Sequence, residues 1–312
     1  MNPALTHPLV SIILPTYNAG LQLSTSVNSI INQSISDWEL ILLDDGSSDN
    51  SLEYIKSVND PRILIYQDGL NRGLAYRLNQ GILLAKAPFI ARMDADDISF
   101  PYRLELQLNC LQKNSEIDLV SSRALVFNNS DLSIIGLLPY KETHEDITSS
   151  LWKTIPMPHP TWMGRAEWFK KFKYKFPEIV RAEDQELLLR TYRQSKFYCM
   201  PLVLLAYRQH PFNFNKTWVA RKSLIKVQMT TFWSEKAFLN IFKVVSFFII
   251  KVMIDVLAAI PFFNFFFFSN FLKTNLDCFV TVFFFSFNLG NLARSGQNQS
   301  HREYTPFRIK HL

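Results

Sequence analysis

The sequence is poor in cysteine and has no glycine-rich turn after its first apolar run. Its three cysteines, Cys110, Cys199 and Cys278, lack the CxxC or histidine spacing that a zinc site requires, so we expect them to be reduced and buried. The missing turn is GxGxxG, the motif with which Rossmann dehydrogenases bind dinucleotides. These absences exclude a zinc module and a Rossmann dehydrogenase.

The N-terminus lacks a pattern for export. Residues 1–18, MNPALTHPLVSIILPTYN, have no charged n-region and no apolar stretch followed by a small-residue cleavage site. The apolar run LVSIIL within them has the length of a strand. We therefore expect a cytosolic body, and 48% hydrophobic residues provide ample material for its core.

Acidic residues are scarce in the C-terminal third. From Lys216 onward the sequence has 12 Lys and Arg against 4 Asp and Glu, whereas before Lys216 it has 21 against 23. The same third holds 16 of the 27 phenylalanines, between Phe238 and Phe287. A nucleic-acid binder would interleave its basic residues with polar ones. Basic and apolar features together instead predict contact with an anionic membrane surface.

No apolar run of this third is clean enough to be a spanning helix, which needs about 20 apolar residues. The stretch 241–272 is strongly apolar but interrupted, and the run 276–289 is short. The interruptions are Lys243, Lys251, Asp255, Pro261 and Asn264. Because Lys243 and Lys251 share a helical face, we expect an in-plane amphipathic helix whose lysines reach lipid headgroups. The alternative is a helical subdomain that buries the phenylalanines internally or in a dimer interface.

Apolar strands alternate with helical segments in the first hundred residues. The strands read VSIILP, WELILL, RILIY and PFIAR. This order predicts an α/β fold with a mostly parallel sheet flanked by helices, in which ligands bind beyond the carboxyl ends of the strands. Three strand ends carry polar residues and should converge on one crevice: Tyr17-Asn18, Asp44-Asp45 and Asp94-Ala95-Asp96-Asp97.

The three carboxylates of the last strand end repel one another unless a positive species neutralises them. Oxygen ligands suit Mg²⁺ or Mn²⁺, which bind one or two protein carboxylates together with phosphate oxygens and water. Asp94 and Asp96 should lie on the same side of an extended segment, since strand side chains repeat every two residues. Asp97 should point elsewhere, as the cap of the next helix.

Five fragments in this order resemble the family 2 glycosyltransferases over roughly residues 8–210. They are VSIILPTYN, ELILLDDGSSDNS, NRGLAYRLNQG, ARMDADD and EDQELLLR. The resemblance implies a GT-A fold and an inverting, usually metal-dependent transfer of a sugar from a nucleotide diphosphate sugar to an acceptor hydroxyl. It leaves the sugar, the base and the acceptor open.

The resemblance also implies a donor site. It places the donor nucleotide against Pro15, Thr16, Tyr17, Asn18, Asp44, Asp45, Arg72, Arg77 and Asp94. Tyr17 would offer an aromatic surface to the base, and Asp45, with Asp44 a near equal, would accept from the nucleoside. Arg72 and Arg77 would reach the phosphates or neutralise carboxylates. The alternatives are that the tyrosine only packs against the strand end, that both aspartates cap turns, and that the arginines are ordinary exposed residues of a helix.

The metal and the acceptor have their own candidates. Asp96 and Asp94 are the expected metal ligands, and His210 would contact phosphate or metal. Asp184 would be the general base, with Glu183 and His159 on the acceptor or donor-sugar side. The alternatives are a solvated carboxylate pair at a helix start and structural histidines.

The sequence therefore predicts three regions. Residues 1–215 form the catalytic domain, 216–290 a basic, phenylalanine-rich helical region at the cytoplasmic face of a membrane, and 291–312 a polar tail. The expected activity is glycosyl transfer to a saccharide or lipid-linked acceptor in surface polysaccharide or glycolipid assembly. The alternative is a non-catalytic sugar-nucleotide-binding or scaffold protein, against which the intact Asp94, Asp96 and Asp184 argue.

Overall fold

A computed structural model describes residues 7–179, 181–211 and 213–259. Cys278, most of the predicted membrane-associating region beyond Ala259, and the predicted tail 291–312 lie outside the described residues. Of the other two cysteines, both free, Cys199 is buried as expected and Cys110 is only half-buried.

Strands and helices alternate through the N-terminal half. The strands are β1 (Val10–Thr16), β2 (Trp38–Asp44), β3 (Ile63–Gln67), β4 (Phe89–Arg92), β5 (Ile98–Ser99), β6 (Leu119–Asn128), β7 (Ile134–Leu137), β8 (Met163–Arg165) and β9 (Phe197–Gln209). The helices are α1 (Gln22–Ile31), α2 (Ser51–Ser57), α3 (Leu74–Leu84), α4 (Arg103–Lys113), α5 (His144–Thr148), α6 (Ala166–Phe172), α7 (Glu183–Thr191), α8 (Phe214–Ser234) and α9 (Phe238–Ala259).

The first four strands form the parallel half of the sheet, in the order β3, β2, β1, β4. β1 and β2 are buried along their whole length, as is usual for parallel strands covered on both faces. Ile13 and Ile41 pack into one core cluster, and Ile12 and Leu40 into the other. Because parallel strands end at the same edge, the polar residues after β1, β2 and β4 emerge together, as predicted.

The second half of the sheet mixes directions. β8 is antiparallel to β4 and β6, β9 is parallel to β6, and β5 is antiparallel to β9. Ile98 of β5 lies opposite Ala206 of β9. This pairing brings the chain that follows β9 against the loop between β4 and β5, where the three carboxylates lie.

The hairpin of α8 and α9 shares the core of the sheet domain. Its buried residues Val227, Phe232 and Val244 belong to the same hydrophobic cluster as Ile13 and Ile41. The hairpin is also tied by polar bonds, since the buried amide of its Gln228 donates to the carbonyl oxygens of Leu151 (3.0 Å) and Lys153 (2.9 Å).

Candidate active site

The loops after β1 and β2 are joined to each other. The amide of Asn18 donates to Ser47 Oγ (3.0 Å), and the amide of Ser48 donates to Asn18 Oδ1 (2.8 Å). Asn18 has a positive φ of 49°, which asparagine tolerates better than most residues. Pro15 and Thr16 are buried beneath this loop, whereas Tyr17 is 54% exposed. Tyr17 is therefore free to present its ring to a ligand.

Asp44 and Asp45 both hold backbone turns. Both carboxylate oxygens of Asp44 accept from the amide of Ser47 at 3.2 Å, so Asp44 caps the turn after β2. Asp45 Oδ1 accepts from the amide of Arg72 (2.8 Å), and Asp45 Oδ2 accepts from the amide of Gly73 (3.0 Å). Asp45 therefore fixes the loop that leads into α3.

Arg77 serves this loop rather than the three carboxylates after β4. Its side chain is buried and donates through Nε to Asp45 Oδ1 (2.9 Å) and through Nη2 to Asp68 Oδ1 (2.5 Å). Burial lowers the pKa of Arg77, but its hydrogen bonds to Asp68 and Asp45 outweigh that effect and raise the pKa above its ordinary value. Arg72 is more exposed and donates to Asp68 Oδ2 (3.0 Å). The carboxylates that these two arginines neutralise are therefore those of Asp45 and Asp68.

Asp94, Asp96 and Asp97 form one acidic cluster. Each offers a carboxylate oxygen, and the three oxygens lie within 4.8 Å of one another. The expectation that Asp97 points elsewhere is wrong. β4 ends at Arg92, so the chain is no longer extended at these residues and the two-residue alternation of a strand does not apply.

Two carboxylates of the acidic cluster have a basic side chain as partner, and the third accepts from a backbone amide. Arg92 grips both oxygens of Asp94, one of them from Nη1 at 2.8 Å. Asp96 Oδ2 lies 2.5 Å from Nε2 of His210. The amide of Arg208 donates to Asp97 Oδ1 (2.9 Å), and Arg208 Nε donates to the carbonyl oxygen of Asp96 (2.7 Å). The structure thus places His210 and Arg208 beside the acidic cluster, and contact of His210 with phosphate or metal stays a prediction.

Two buried arginines beside the acidic cluster were missed by the sequence reasoning. Arg92 is 4% exposed and Arg103 is 1% exposed. Arg103 Nη2 donates to the carbonyl oxygen of Arg92 (2.7 Å). The pKa of Arg103 is lowered to about 9, chiefly by burial; the charge of Asp97 opposes this effect, and the charge of Arg92 adds to it. For Arg92 the sequence did offer a signal. It is the one charged residue in the apolar run FIAR, and a buried charge needs a partner.

The acidic cluster fits a divalent cation. Burial raises the pKa of Asp97 well above its ordinary value, and the charges of Asp94 and Asp96 add to this. Asp97 Oδ2 is buried and, among the described residues, has no hydrogen-bond partner. A hard cation satisfies such an oxygen and removes the mutual repulsion. Asp94, Asp96 and Asp97 could each offer one oxygen to the cation, and Asp96 and Asp97 are the less engaged, because Arg92 binds both oxygens of Asp94.

A second pair of carboxylates opens α7. Glu183 is buried, and burial raises its pKa to about 7, with further contributions from the charges of Asp184 and Asp94. Asp184 is half-buried, and its Oδ2 accepts from Gln185 Nε2 at 3.1 Å. The charge of Asp94 acts on Glu183, so the acidic cluster lies within electrostatic reach of the start of α7.

His159 is buried next to the start of α7. It is 8% exposed, its Nε2 is 2.8 Å from Tyr174 Oη, and its Nδ1 is 4.0 Å from Glu183 Oε1. Burial, followed by the charge of Arg92, holds the pKa of His159 well below its ordinary value. His159 is therefore a buried, neutral residue next to Glu183, and its place on the acceptor or donor-sugar side stays a prediction. Tyr174 was not identified from the sequence.

The arrangement provides what a group transfer to a hydroxyl needs. The acidic cluster can bind a cation and, through it, an anionic diphosphate. Asp184 offers a carboxylate that can accept a proton from a bound hydroxyl. The exposed ring of Tyr17 offers a surface on which a flat base can stack.

Comparison with known proteins identifies related chains. The family model "Glycosyl transferase family 2" matches residues 11–173. The "Putative glycosyltransferase EpsE" of Bacillus subtilis (strain 168) is 36% identical over 193 residues, covering 60% of this chain and 68% of that protein. The "UDP-Glc:alpha-D-GlcNAc-diphosphoundecaprenol beta-1,3-glucosyltransferase WfgD" of Escherichia coli is 35% identical over 141 residues, covering 45% of this chain and 54% of that protein.

A solved structure shares the fold. The crystal structure of S. aureus TarS 1-349 in complex with UDP-GlcNAc superposes with a TM-score of 0.56 at 16% identity. The match covers 70% of this chain and 66% of that one. The predicted GT-A-like α/β fold is therefore confirmed.

Proposed function

Because the chain belongs to glycosyl transferase family 2, we propose that it moves a sugar from a nucleoside diphosphate sugar to an acceptor hydroxyl with inversion at the anomeric carbon. The observation that carries the proposal is that a cluster of three carboxylates lies within electrostatic reach of the carboxylate pair at the start of α7. Arg92 grips Asp94 on one side, and its charge acts on Glu183 and His159 on the other. The acidic cluster would bind the donor diphosphate through a cation, and the carboxylates at the start of α7 would face the acceptor.

In the proposed reaction, Asp184 takes the proton of the acceptor hydroxyl. The acceptor oxygen forms a bond to the anomeric carbon, and the bond between that carbon and the diphosphate oxygen breaks with its electron pair on the leaving diphosphate. An attack from the side opposite the leaving group inverts the configuration. Glu183 and His159 keep the start of α7 in place, so that the Asp184 carboxylate faces the acceptor.

Asp96 and Asp97 would hold a divalent cation, Mn²⁺ or Mg²⁺, and Asp94 would stay with Arg92. When bound, the cation stabilises the negative charge that develops on the leaving diphosphate. Tyr17 would stack on the base, and the loop that Asp45 fixes would border the nucleoside.

The acceptor we propose is a saccharide carried on a lipid. The name of the E. coli relative specifies a UDP-glucose donor and a GlcNAc-diphosphoundecaprenol acceptor. The basic, apolar C-terminal third of this chain suits work at the cytoplasmic face of a membrane that carries such a lipid. Assembly of a surface polysaccharide or glycolipid is the matching process.

The test is a screen of UDP-, GDP- and dTDP-sugars for thermal stabilisation, with and without Mn²⁺ or Mg²⁺. A ligand at about 100 times its Kd stabilises the folded state by about 2.7 kcal/mol. We expect one nucleotide class to raise the melting temperature, and to do so more strongly with metal. Transfer from that donor to extracted lipid, with the product anomer assigned by NMR, then tests inversion. Absence of stabilisation by every nucleotide, with either metal, would overturn the proposal.

A further inference from the structure

The outward face of α9 is apolar and exposed. Its large apolar side chains recur every three or four residues, which places them on one side of the helix. Between 38% and 70% of each is exposed. This outward face consists of Phe238, Leu239, Phe242, Val245, Ile249, Ile250 and Met253. A contiguous apolar surface of this kind marks an interaction site.

The opposite face of α9 is apolar as well, and it is already used. Val244 is 2% exposed in the main core, and the ring of Phe247 lies 5.5 Å from the ring of Trp152. The ring of Phe248 lies 6.2 Å from that of Trp218 in α8. A helix that is apolar on all sides is normally buried all round. We therefore expect the outward face to be buried by a further partner, since none of the described residues covers it.

The charges around the outward face decide which occupant fits. The exposed lysines of the hairpin are Lys216, Lys222, Lys226 and Lys236. The one acidic residue between 213 and 253 is Glu235, which is held by Arg193 (Oε1 to Nε, 3.0 Å). An apolar face beside uncompensated positive charge complements an anionic lipid surface, where apolar side chains enter the acyl boundary and lysines meet headgroups.

The two lysines expected from the sequence to reach headgroups have other neighbours. The ammonium of Lys243 lies 5.9 Å from the centre of the Trp152 ring, on the side of the sheet domain. The ammonium of Lys251 lies 4.4 Å from the centre of the Phe247 ring. The exposed positive charge of the hairpin therefore lies mainly on α8, where the ammonium of Lys222 is 5.0 Å from the centre of the Trp218 ring and its side chain is still exposed.

We propose that the outward face of α9 lies in the interfacial layer of an anionic bilayer, with Lys222 and Lys226 at its headgroups. This inference deepens the proposed membrane association and rests on the proposed function for its lipid-linked acceptor.

The position of α9 gives this docking a consequence. Phe248 lies beside Trp218, which follows His210, the neighbour of Asp96, by eight residues. The Cα atoms of residues 210 and 218 are therefore at most about 20 Å apart. Because the hairpin shares the core of the sheet domain, the docked helix holds the site at a fixed distance from the lipid surface.

The first test uses the full-length chain and phosphatidylcholine vesicles with or without phosphatidylglycerol. Leu239→Glu places a charge on the outward face, where Leu239 is 68% exposed. Leu83→Glu is the matched control, since Leu83 is 65% exposed on another helix, α3. Leu239→Glu should weaken co-sedimentation with the vesicles by about tenfold or more, the factor expected from losing one buried leucine. Leu83→Glu should bind like the wild type.

The second test addresses the charge. Lys222→Gln and Lys226→Gln should each weaken binding to the phosphatidylglycerol vesicles about fivefold, which corresponds to about 1 kcal/mol per lysine near an anionic surface. Binding to pure phosphatidylcholine should not change. Lys113→Gln, an exposed lysine on α4, is the control.

Melting temperature and molar mass, measured without vesicles, distinguish the other occupants. If Leu239→Glu lowers the melting temperature but not vesicle binding, the chain's own residues beyond 259 cover the face. If it converts a dimer to a monomer with vesicle binding unchanged, a second copy covers it. Either result overturns the proposal. Nucleotide stabilisation is scored separately, so its failure with intact vesicle binding would reject the proposed transfer and leave the docking standing.

Discussion

The three carboxylates after β4 form one acidic cluster but differ in how fully other groups already bind them. Arg92 occupies both oxygens of Asp94, while Asp96 meets a half-exposed histidine and Asp97 keeps one buried oxygen without a partner among the described residues. A ligand that brings positive charge gains most at the two less engaged carboxylates. Substitution of Asp96 is therefore the more informative test of metal binding.

Asp96→Asn should weaken metal-dependent donor binding by at least about tenfold, because it removes a charged ligand and keeps the shape of the side chain. Loss of a residue that only hydrogen-bonds to a metal ligand already lowers metal affinity by about 10–100-fold. The measurement is nucleotide affinity with and without Mn²⁺. Asp131→Asn, in an exposed loop, is the control. Equal enhancement by Mn²⁺ in wild type and Asp96→Asn would contradict the assignment.

Asp184→Asn should leave nucleotide affinity nearly unchanged and lower turnover by roughly 10²–10⁴-fold, the usual contribution of a general base. Binding is measured by calorimetry, and transfer is measured at saturating donor. If transfer continues near the wild-type rate, the base lies elsewhere, and Glu183 is the next candidate.

Glu183 should make the folded state less stable as the pH rises. Burial raises the pKa of Glu183 to about 7 from its ordinary 4.5. Below the unfolded pKa the carboxyl is neutral in both states, so its stabilising effect is fully present there and is lost as the pH rises through about 7. Glu183→Gln should remove this loss, which amounts to roughly 3 kcal/mol at most.

The measurement is urea unfolding of wild type and Glu183→Gln between about pH 5 and about pH 8. Glu178→Gln is the control, since Glu178 is exposed. An unchanged dependence on pH in Glu183→Gln would show that the buried glutamate does not carry the effect.

At the scale of elements, the loop between β3 and α3 is fitted closely against the turn after β2. Gly46 has a φ of 78°, and a Cβ there would lie 2.9 Å from the carbonyl carbon of Leu70 and 3.0 Å from the nitrogen of Asn71. Both contacts are with backbone, which cannot rotate away. The Asp45 carboxylate then holds the same loop by its amides, so the two features act together.

Gly46→Ala should cost more stability than Gly20→Ala. Gly20 also has a positive φ, 58°, but a Cβ there meets nothing within 4 Å. The left-handed conformation alone costs alanine about 1–2 kcal/mol, and at Gly46 the backbone clash adds to it. Chemical denaturation measures both losses. Equal losses would mean that the loop shifts freely, and would remove the argument that it borders a rigid nucleoside pocket.

At the scale of the whole molecule, the α8–α9 hairpin is part of the folded body. Phe232 is 0% exposed within the main core, whereas its neighbour Trp233 is 68% exposed. No helix within the described residues is both long and apolar enough to cross a bilayer. The hairpin thus combines an inward face that stabilises the fold with an outward face that remains available.

Phe232→Ala should lower the free energy of unfolding of the full chain by about 3–5 kcal/mol, the usual cost of emptying a phenylalanine site in a core. Trp233→Ala should change it by no more than about 0.5 kcal/mol, because that side chain is exposed. Urea unfolding followed by far-UV circular dichroism measures both. An unfolding transition unaffected by Phe232→Ala would mean that the hairpin is an independent appendage.

The sequence by itself determined the α/β alternation and the shared strand edge. Periodicity and apolar runs locate elements whose side chains are buried by neighbours close in the chain, and parallel strands necessarily end at one edge. The same edge predicted that Asp94 and Asp96 lie together, and the resemblance brought His210 to the same site. These features depend on local pattern and on chain direction.

The tertiary structure alone decided which partner each charge has. Asp97 joined the acidic cluster because β4 ends at Arg92. Arg92 pairs with Asp94 because a buried charge needs an opposite charge. His159 lies next to Glu183 because segments distant in the chain meet at the start of α7. Such contacts join residues far apart in the chain, and no local periodicity encodes which of them meet.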